Sequence, residues 1–322
     1  MRTIAVADVG GTHARFALAQ IEDKRVLSLG DPVKLKTADH GSFQLAWEEF
    51  GRRENVDLPS ELALSFAGPV GGKVLKLTNN PWVIRPALMK ERLGVDRFTI
   101  VNDFGAVGYA VATLSNDHFR HVCGPEVPFP TEGVISIVGP GTGLGVAAVL
   151  RKTDHYDIIE TEGGHVDFAP LDTLEDQILI ELRRNFRRVS VERIASGRGL
   201  SNLYEALGAI EGKAVTFRDD KELWAAALEG KDSLANAALD RFCLTLGSVA
   251  GDMALAQGAV AVVIAGGIGL RVADYLPRSG FRDRFIAKGR FERRMDDMPV
   301  KLITYPEPGL FGAAAAFARE HS

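Results

Sequence analysis

Short runs in which apolar and polar positions alternate open the chain and predict three strands. They are bounded by turn residues, the first turn being Gly10-Gly11-Thr12. The strands are expected at residues 4–8, 14–20 and 25–29. The period then changes, because aromatic and alanine side chains between positions 43 and 50 recur at helical spacing. A helix is therefore predicted over residues 42–52.

The pattern next predicts a strand at 62–67, a helix opening at Pro86, a strand at 98–101 and a further helix. The opening then repeats. Aligning Gly11-Thr12 with Gly141-Thr142, 130 positions later, superposes a strand, a glycine turn and a second strand. A third strand at 155–160 and a helix at 174–186 continue the parallel. Two copies of one α/β unit are predicted.

The rest of the chain alternates long helical and short apolar segments. A helix is predicted at 233–257, a buried strand at 259–265 ending in Gly266-Gly267, a strand at 300–305 and a helix at 311–319. Since no low-complexity linker is found, the two domains should be joined by short hinges. We predict a smaller α/β domain from residues 1–109 plus 299–322, and a larger one from residues 110–298.

Composition bears on the partners of the protein and on where in the cell it is expected. The 322 residues are 46% hydrophobic and 25% charged, with a net charge of -4, which favours neither nucleic acid nor an anionic membrane as partner. No apolar run approaches the roughly 18 residues that span a bilayer, and no export signal is recognised. Cys123 and Cys243 lack metal-like spacing and are expected to be buried and reduced. A cytoplasmic protein is predicted.

The first glycine turn has the chemistry of an anion site. Paired glycines let the backbone approach a ligand closely, and successive N–H groups form a concavity for phosphate. Asp8, at the strand end, is suited to hold Mg²⁺ through water. The alternative is a plain hairpin with an incidental aspartate.

The second turn, from Gly139 to Gly145, is neither a dinucleotide fingerprint nor a P-loop. A strand follows it where the fingerprint needs a helix, and the chain has no G-x-x-x-x-G-K-[ST] motif. Gly266 and Gly267 follow a fully apolar strand, where small residues can admit a flat ring such as adenine.

Polar side chains at two other places are candidate functional residues, and a carboxylate at a third place is not distinguished by its spacing. Asp103, after Asn102 at a strand end, can accept a proton from a hydroxyl or can serve as a helix N-cap. Glu162 and His165 flank two glycines that turn the backbone sharply, without metal-ligand spacing. Spacing alone would make Glu192 a surface carboxylate.

Together these segments resemble the bacterial glucokinase family. The resemblance rests on DVGGTHAR (8–15), LTNNPW (77–82), VNDF (101–104), GPGTGLG (139–145), EGGHVDF (162–168), VERIASGRGL (191–200) and AGGI (265–268), in order along the chain. It implies a two-domain α/β fold, actin-like or hexokinase-like (ribonuclease H-like), with the active site in the interdomain cleft. It also implies ATP and Mg²⁺ as cofactors, glucose as substrate and a homodimer.

The resemblance also implies roles for individual residues. Asp103 is the expected general base. The expected sugar-binding residues are Asn102, Asp103, Glu162, His165 and Glu192. The expected nucleotide-binding residues are Ala7, Asp8, Val9, Gly10, Gly11, Thr12, Gly139, Gly141, Thr142, Gly143, Gly266 and Gly267, with Asp8 also at the metal.

Three positions depart from the family pattern: His13, Gly105 and Pro140, the last of which removes a backbone N–H near the second turn. The open alternatives are another hexose or amino-sugar kinase of the repressor–ORF–kinase group, a sugar-responsive regulator, and an actin-type ATP-binding protein. The first commonly has a Cys-rich zinc loop and the second a helix-turn-helix segment. Neither feature is recognised here.

Overall fold

The computed structural model describes residues 1–77, 80–215 and 219–322. They form two compact units. The smaller unit contains Met1–Leu114 and Tyr305–Ser322, and the larger unit contains Ser115–Thr304.

The strands in chain order are β1 (Arg2–Val9), β2 (His13–Glu22), β3 (Arg25–Leu29), β4 (Val33–Lys36), β5 (Glu61–Phe66), β6 (Leu75–Lys76), β7 (Val83–Ile84), β8 (Arg97–Asn102), β9 (Phe119–Cys123), β10 (Gly133–Pro140), β11 (Leu144–Arg151), β12 (Tyr156–Thr161), β13 (Ala259–Ile264) and β14 (Val300–Ile303). The α-helices are α1 (Phe43–Glu54), α2 (Met89–Leu93), α3 (Asp103–Thr113), α4 (Thr173–Asn185), α5 (Gly199–Glu211), α6 (Asp220–Leu228), α7 (Ser233–Ala256), α8 (Gly266–Arg271), α9 (Phe281–Ile286), α10 (Glu292–Asp296) and α11 (Pro308–Glu320).

The sheet of the smaller unit has the order β3-β2-β1-β5-β8, with β4 paired to β2. The side chains of β1 alternate between two apolar clusters, as the period of a strand requires. Ala5, Ala7 and Val9 belong to the cluster that contains the aromatic side chains of α1. Ile4 and Val6 belong to the cluster that contains the alanines of α11. Asp8 lies on the same face of β1 as Ile4 and Val6, beside the start of α11.

The sheet of the larger unit has the order β12-β11-β10-β13-β14-β9, and its apolar core extends through α4, α5, α6 and α7. The β10–β11–β12 meander repeats the antiparallel opening of the smaller unit, as the sequence repeat predicted. Because β10 then pairs with β13 in parallel, the second glycine turn and Gly266 both follow the carboxyl ends of neighbouring strands.

The chain returns to the smaller unit later than the sequence suggested. We assigned residues 299–322 to the smaller domain, but β14 pairs with β13 and β9 and so belongs to the larger sheet. Strand propensity predicts a strand there without revealing its partner. Helix α3 likewise keeps residues 110–114 in the smaller unit.

Both cysteines are buried and free, as predicted, and burial raises the pKa of each thiol to about 12. They are therefore un-ionised and unreactive at neutral pH. Within the described residues, no helix combines the length and apolar character needed to cross a membrane.

Candidate functional site

The first glycine turn (residues 10–12) joins β1 to β2. The Gly10 N–H donates to the His13 carbonyl at 3.0 Å. The Gly11 carbonyl accepts from Thr37 Oγ1 at 2.7 Å and from Asn80 Nδ2 at 3.2 Å. These two side chains hold the turn through its carbonyl side. Ala7 and Val9, which precede the turn and were also predicted to bind nucleotide, have side chains buried in the core. Only their backbone can therefore face a ligand.

Asp8 has two polar partners and also touches the start of α11. Ser65 Oγ donates to Asp8 Oδ1 at 2.7 Å, and Arg15 Nη1 lies 3.3 Å from Oδ2. Arg15 also reaches Glu307, with Nε and Oε2 separated by 3.4 Å. A Cβ on Gly309 would lie 3.4 Å from Asp8 Cγ, so the start of α11 touches the carboxylate. Asp8 is therefore held in one orientation.

Burial is the largest influence on the Asp8 carboxyl and raises its pKa, although 22% of the side chain is exposed. The Ser65 hydrogen bond and the Arg15 charge act in the opposite direction. Burial also raises the pKa of Glu307, Arg15 lowers it, and the Asp8 charge raises it further. Two carboxylates thus share one guanidinium.

The donor set at Asp8 fits a water-bound Mg²⁺ better than a protein cage. Among the residues described, no three His, Cys, Asp or Glu side chains are grouped closely enough to hold a metal. Magnesium usually keeps several waters and takes one or two carboxylates together with substrate phosphates. A single oriented aspartate beside the first glycine turn is compatible with that mode of binding.

Asn102 and Asp103 lie where β8 ends and α3 begins. Asn102, and not Asp103, is the N-cap, since its Oδ1 accepts from the N–H groups of Phe104 at 2.9 Å and Gly105 at 3.2 Å. Asn102 Nδ2 also donates to the Gly68 carbonyl at 3.3 Å. Asp103 is the first helical residue, and its Oδ1 accepts from the Phe104 N–H at 2.9 Å. The alternative role of Asp103 as the N-cap therefore falls to its neighbour.

The second glycine turn (residues 141–143) joins β10 to β11. The Gly141 N–H donates to the Gly143 carbonyl at 2.8 Å, and the Gly141 carbonyl accepts from the Gly197 N–H at 2.7 Å. A Cβ on Gly141 would meet no protein atom within 4 Å, and Thr142 is exposed. Pro140 is buried as the last residue of β10, so its missing N–H belongs to the strand end, just before the turn.

The third glycine element opens α8. Gly266 has a φ of +79°, and a Cβ there would overlap the Pro140 carbonyl oxygen. It is therefore a structural requirement of this chain, since a left-handed backbone and close packing both demand glycine. Gly267, the next residue, is exposed and has no atom within 4 Å of an added Cβ. Neither packing nor backbone strain explains that second glycine.

Glu162 precedes a short 3-10 turn, Gly163–His165, and His165 is the last residue of that turn. Both side chains are exposed, with Glu162 Oε2 and His165 Nε2 separated by 4.0 Å. The glycines between them are needed for packing, because a Cβ on Gly163 would lie 2.9 Å from Val146 Cγ1 and one on Gly164 would overlap the Leu144 carbonyl. The turn thus lies on β11 with its polar side chains outward.

Glu192 lies in the 3-10 turn Val191–Arg193 and is partly buried. Its Oε2 accepts from the Leu144 N–H at 3.0 Å. A Cβ on Gly143 would overlap the same oxygen. Glu192 is therefore not a free surface carboxylate, the role that spacing alone suggested, but is bonded to the end of the second glycine turn.

Within the larger unit, the structure brings three predicted groups to one place: the 141–143 turn, the Glu162–His165 pair and Glu192 all adjoin Leu144. Several residues that hold the two glycine turns and Asp8 in place had no role predicted from the sequence. Asn80 and Gly197 lie inside motifs that carried the resemblance but received no role. Arg15, which pairs with Asp8, also lies inside such a motif, whereas Ser65 and Glu307, which contact Asp8 and Arg15 respectively, come from positions with no local signal.

Comparisons with known proteins agree on one family. The chain matches the family profile "Glucokinase" over residues 5–320. It is 61% identical over 319 residues to a glucokinase of Zymomonas mobilis, covering 99% of this chain and 98% of that protein. A crystal structure of a glucokinase from an Antarctic psychrotroph is 33% identical, with a TM-score of 0.85 over 98% of this chain and 99% of that one.

A more distant structure shares the fold. It is a ROK-family glucokinase from Streptomyces griseus in complex with glucose and AMPPNP, 20% identical, with a TM-score of 0.66 over 99% of this chain and 100% of that one. The predicted two-domain α/β sugar-kinase fold is confirmed by these neighbours. The profile match and the identity over nearly the whole chain establish that this protein belongs to the glucokinase family.

Proposed function

We propose the residue roles through which this member of the glucokinase family transfers the γ-phosphate of ATP to the 6-hydroxyl of D-glucose, giving glucose 6-phosphate and ADP. One observation supports the proposal above all others: in the larger unit, the carboxylate assigned to the sugar is bonded to the end of a turn assigned to the nucleotide. A contact between the two sites is expected where sugar and nucleotide react with each other.

The sugar roles go to Asn102, Asp103, Glu162, His165 and Glu192. Charged acceptors form the stronger hydrogen bonds to hydroxyl donors, and three of the five are carboxylates. Glu162 and His165 present exposed polar atoms from a rigid, glycine-packed turn. Glu192 has one oxygen fixed by the Leu144 N–H, which leaves the other oxygen for a hydroxyl.

Asp103 is the proposed general base. Its carboxylate takes the proton of the 6-hydroxyl as that oxygen attacks the γ-phosphorus, while the bond to the bridging oxygen breaks and ADP leaves. A positioned base contributes roughly 10² to 10⁴ in rate. Because Asn102 caps α3, helix capping does not account for the carboxylate at position 103.

The nucleotide roles go to the glycine elements. The backbone of residues 7–12 and of Gly139, Gly141, Thr142 and Gly143 would surround the phosphates, and Gly266 and Gly267 would border the adenosine. The open space at Gly141 and Gly267 supports this, since glycine there serves neither packing nor backbone strain. Preformed N–H groups stabilise charge that develops on the transferring oxygens without reorganising.

Magnesium would be held by Asp8 through water and by the nucleotide. When bound, it neutralises charge on the phosphate oxygens. Arg15, Ser65 and the start of α11 keep the Asp8 carboxylate oriented for that task. We also propose that the protein acts in the cytoplasm as a homodimer in glycolysis, without nucleic-acid or membrane partners; the net charge of -4 and the family resemblance support this.

A hexose panel tests the substrate assignment. With ATP and Mg²⁺ in excess, kcat/KM for glucose should exceed that for fructose and for N-acetylglucosamine by at least about tenfold, because buried polar groups left unpaired by an analogue disfavour its transition state. Equal or faster turnover of N-acetylglucosamine would instead support an amino-sugar kinase.

A further inference from the structure

The second glycine turn is held by the same segments that present the proposed sugar-binding side chains. Leu144 ends the turn, and its N–H donates to Glu192 Oε2 at 3.0 Å. Its carbonyl oxygen is packed so closely against Gly164 that no Cβ would fit there. Both backbone groups of Leu144 therefore contact segments that carry the proposed sugar residues.

The start of the turn is tied to the same chain segment as Glu192. The Gly197 N–H donates to the Gly141 carbonyl at 2.7 Å, and Gly197 follows Glu192 by five positions. A Cβ on Gly197 would lie only 3.0 Å from the Gly141 oxygen. The segment from 192 to 197 is thus hydrogen-bonded to Gly141 at the start of the turn and to Leu144 just after its end.

Gly143 is the point at which the two sites touch most closely. Its missing side chain creates the space in which the Glu192 carboxylate lies, because an added Cβ would overlap Oε2. Gly141, in the same turn, has open space around an added Cβ. The glycine at 143 is therefore required by the carboxylate, whereas the glycine at 141 is not required by any protein atom.

We propose that Gly143 and Leu144 are positioning residues for the sugar site, through which nucleotide bound at the second turn and glucose bound at Glu192 strengthen each other's binding. The proposal rests on the function assigned above. Phosphate on the turn fixes the Leu144 N–H, and the fixed N–H holds the Glu192 carboxylate in one orientation. Glucose then does not have to order the Glu192 carboxylate when it binds, and a preorganised site binds its ligand more tightly. Linkage makes the effect reciprocal.

The test is glucose binding by calorimetry, with and without saturating AMPPNP and Mg²⁺, on the full-length protein. In the wild type, the nucleotide analogue should tighten glucose binding at least about fivefold, the lower end of usual coupling. Gly143→Ala should weaken glucose binding in the absence of nucleotide. It should also reduce the coupling between the two ligands to less than about twofold. Gly141→Ala is the matched control from the same turn and should keep the coupling, even where its nucleotide affinity falls.

A second variant protects the test against misfolding. Glu192→Asp leaves a carboxylate but shortens it by one methylene, so it can no longer reach the Leu144 N–H from the same backbone position. It should lose the coupling as Gly143→Ala does, with an unchanged thermal unfolding temperature. Wild-type coupling in either variant, or equal loss in Gly141→Ala, would overturn the proposal. Undiminished glucose affinity in Glu192→Ala would instead show that Glu192 does not bind sugar, which is a failure of the proposed function.

Discussion

The two glycine turns are alike in sequence and in strand order, yet their surroundings differ. The first follows Asp8, which is enclosed by Ser65, Arg15 and the start of α11. The equivalent position before the second turn, 130 residues later, is Val138, a fully buried apolar side chain. The charged contact of the second turn comes from Glu192, far along the chain.

Under the proposed roles, the two copies of one backbone motif contribute different groups to the same reaction. The first turn follows Asp8, the carboxylate proposed to hold a hydrated cation, and Thr37 and Asn80 bond to the carbonyl side of that turn. The second turn has no charge of its own and is held by a proposed sugar-binding residue. Substitutions at equivalent positions should therefore have unequal effects.

The largest effect should come from Asp103, in the smaller unit. Asp103→Asn keeps the shape of the side chain but removes its basicity, so kcat should fall by roughly 10² to 10⁴ while glucose affinity changes less. Asp232→Asn is the matched control, since Asp232 is the N-cap of α7 and asparagine caps almost as well. Steady-state kinetics with thermal unfolding measures both. A well-folded Asp103→Asn protein with more than about a tenth of wild-type kcat would exclude this base.

The next largest effect should separate Asp8 from Val138. Asp8→Asn should lower kcat by about 10², because an oriented charge at the phosphates is lost, and it should leave the fold intact. Val138→Ala should leave kcat of the folded protein near wild type and lower the free energy of unfolding by about 2 kcal/mol through a core cavity. Denaturant unfolding and kinetics on both variants decide it. Similar kinetic losses in the two would show that the turns do not differ in this way.

A smaller effect should distinguish the adjacent glycines of the third element. Gly267→Ala should keep its stability within about 0.5 kcal/mol, since the space is open, and should raise the KM for ATP by about three- to tenfold if adenosine lies there. Gly266→Ala should lower the free energy of unfolding by at least about 2 kcal/mol, because of its positive φ and the Pro140 contact. An unchanged KM for ATP in Gly267→Ala would remove that residue from the nucleotide site.

The smallest effect concerns pH and stability. Burial raises the pKa of the Asp8 carboxyl, so the folded protein holds that proton more tightly than the unfolded chain. The resulting stabilisation is fully present below the ordinary aspartate pKa of about 4 and is lost as pH rises through the raised folded pKa. Asp8→Asn has no such loss. Its free energy of unfolding relative to wild type should therefore increase from pH 4 to pH 8; a decrease would contradict the burial argument.

The periodic parts of the fold could be predicted from the sequence, and the pairings of its short strands could not. Residues 233–257 were predicted as helix and form α7 (Ser233–Ala256), because many periodic positions support the pattern. Strands β4 and β9 have only four and five residues and were missed. β14 was predicted as a strand but given to the wrong domain, because pairing with β13 is a tertiary choice.

The site shows the same limit. The glycine turns and the strand-end Asp8 and Asp103 could be found from local chemistry. The Glu192–Leu144 bond joins residues 48 positions apart, and the Asn80–Gly11 bond joins residues 69 apart, so neither leaves a pattern in the sequence. The family resemblance assigned Glu192 a sugar-binding role but did not reveal that its carboxylate contacts the end of the second turn. The assigned roles themselves stay predictions.

The most direct test of the proposed reaction is to identify the product by phosphorus NMR after incubating the protein with ATP, Mg²⁺ and glucose. We expect one glucose 6-phosphate for each ADP formed, with little ATP consumed when the sugar is omitted. ATP consumption that is equally fast without glucose, or phosphate on a hydroxyl other than the one at carbon 6, would contradict it.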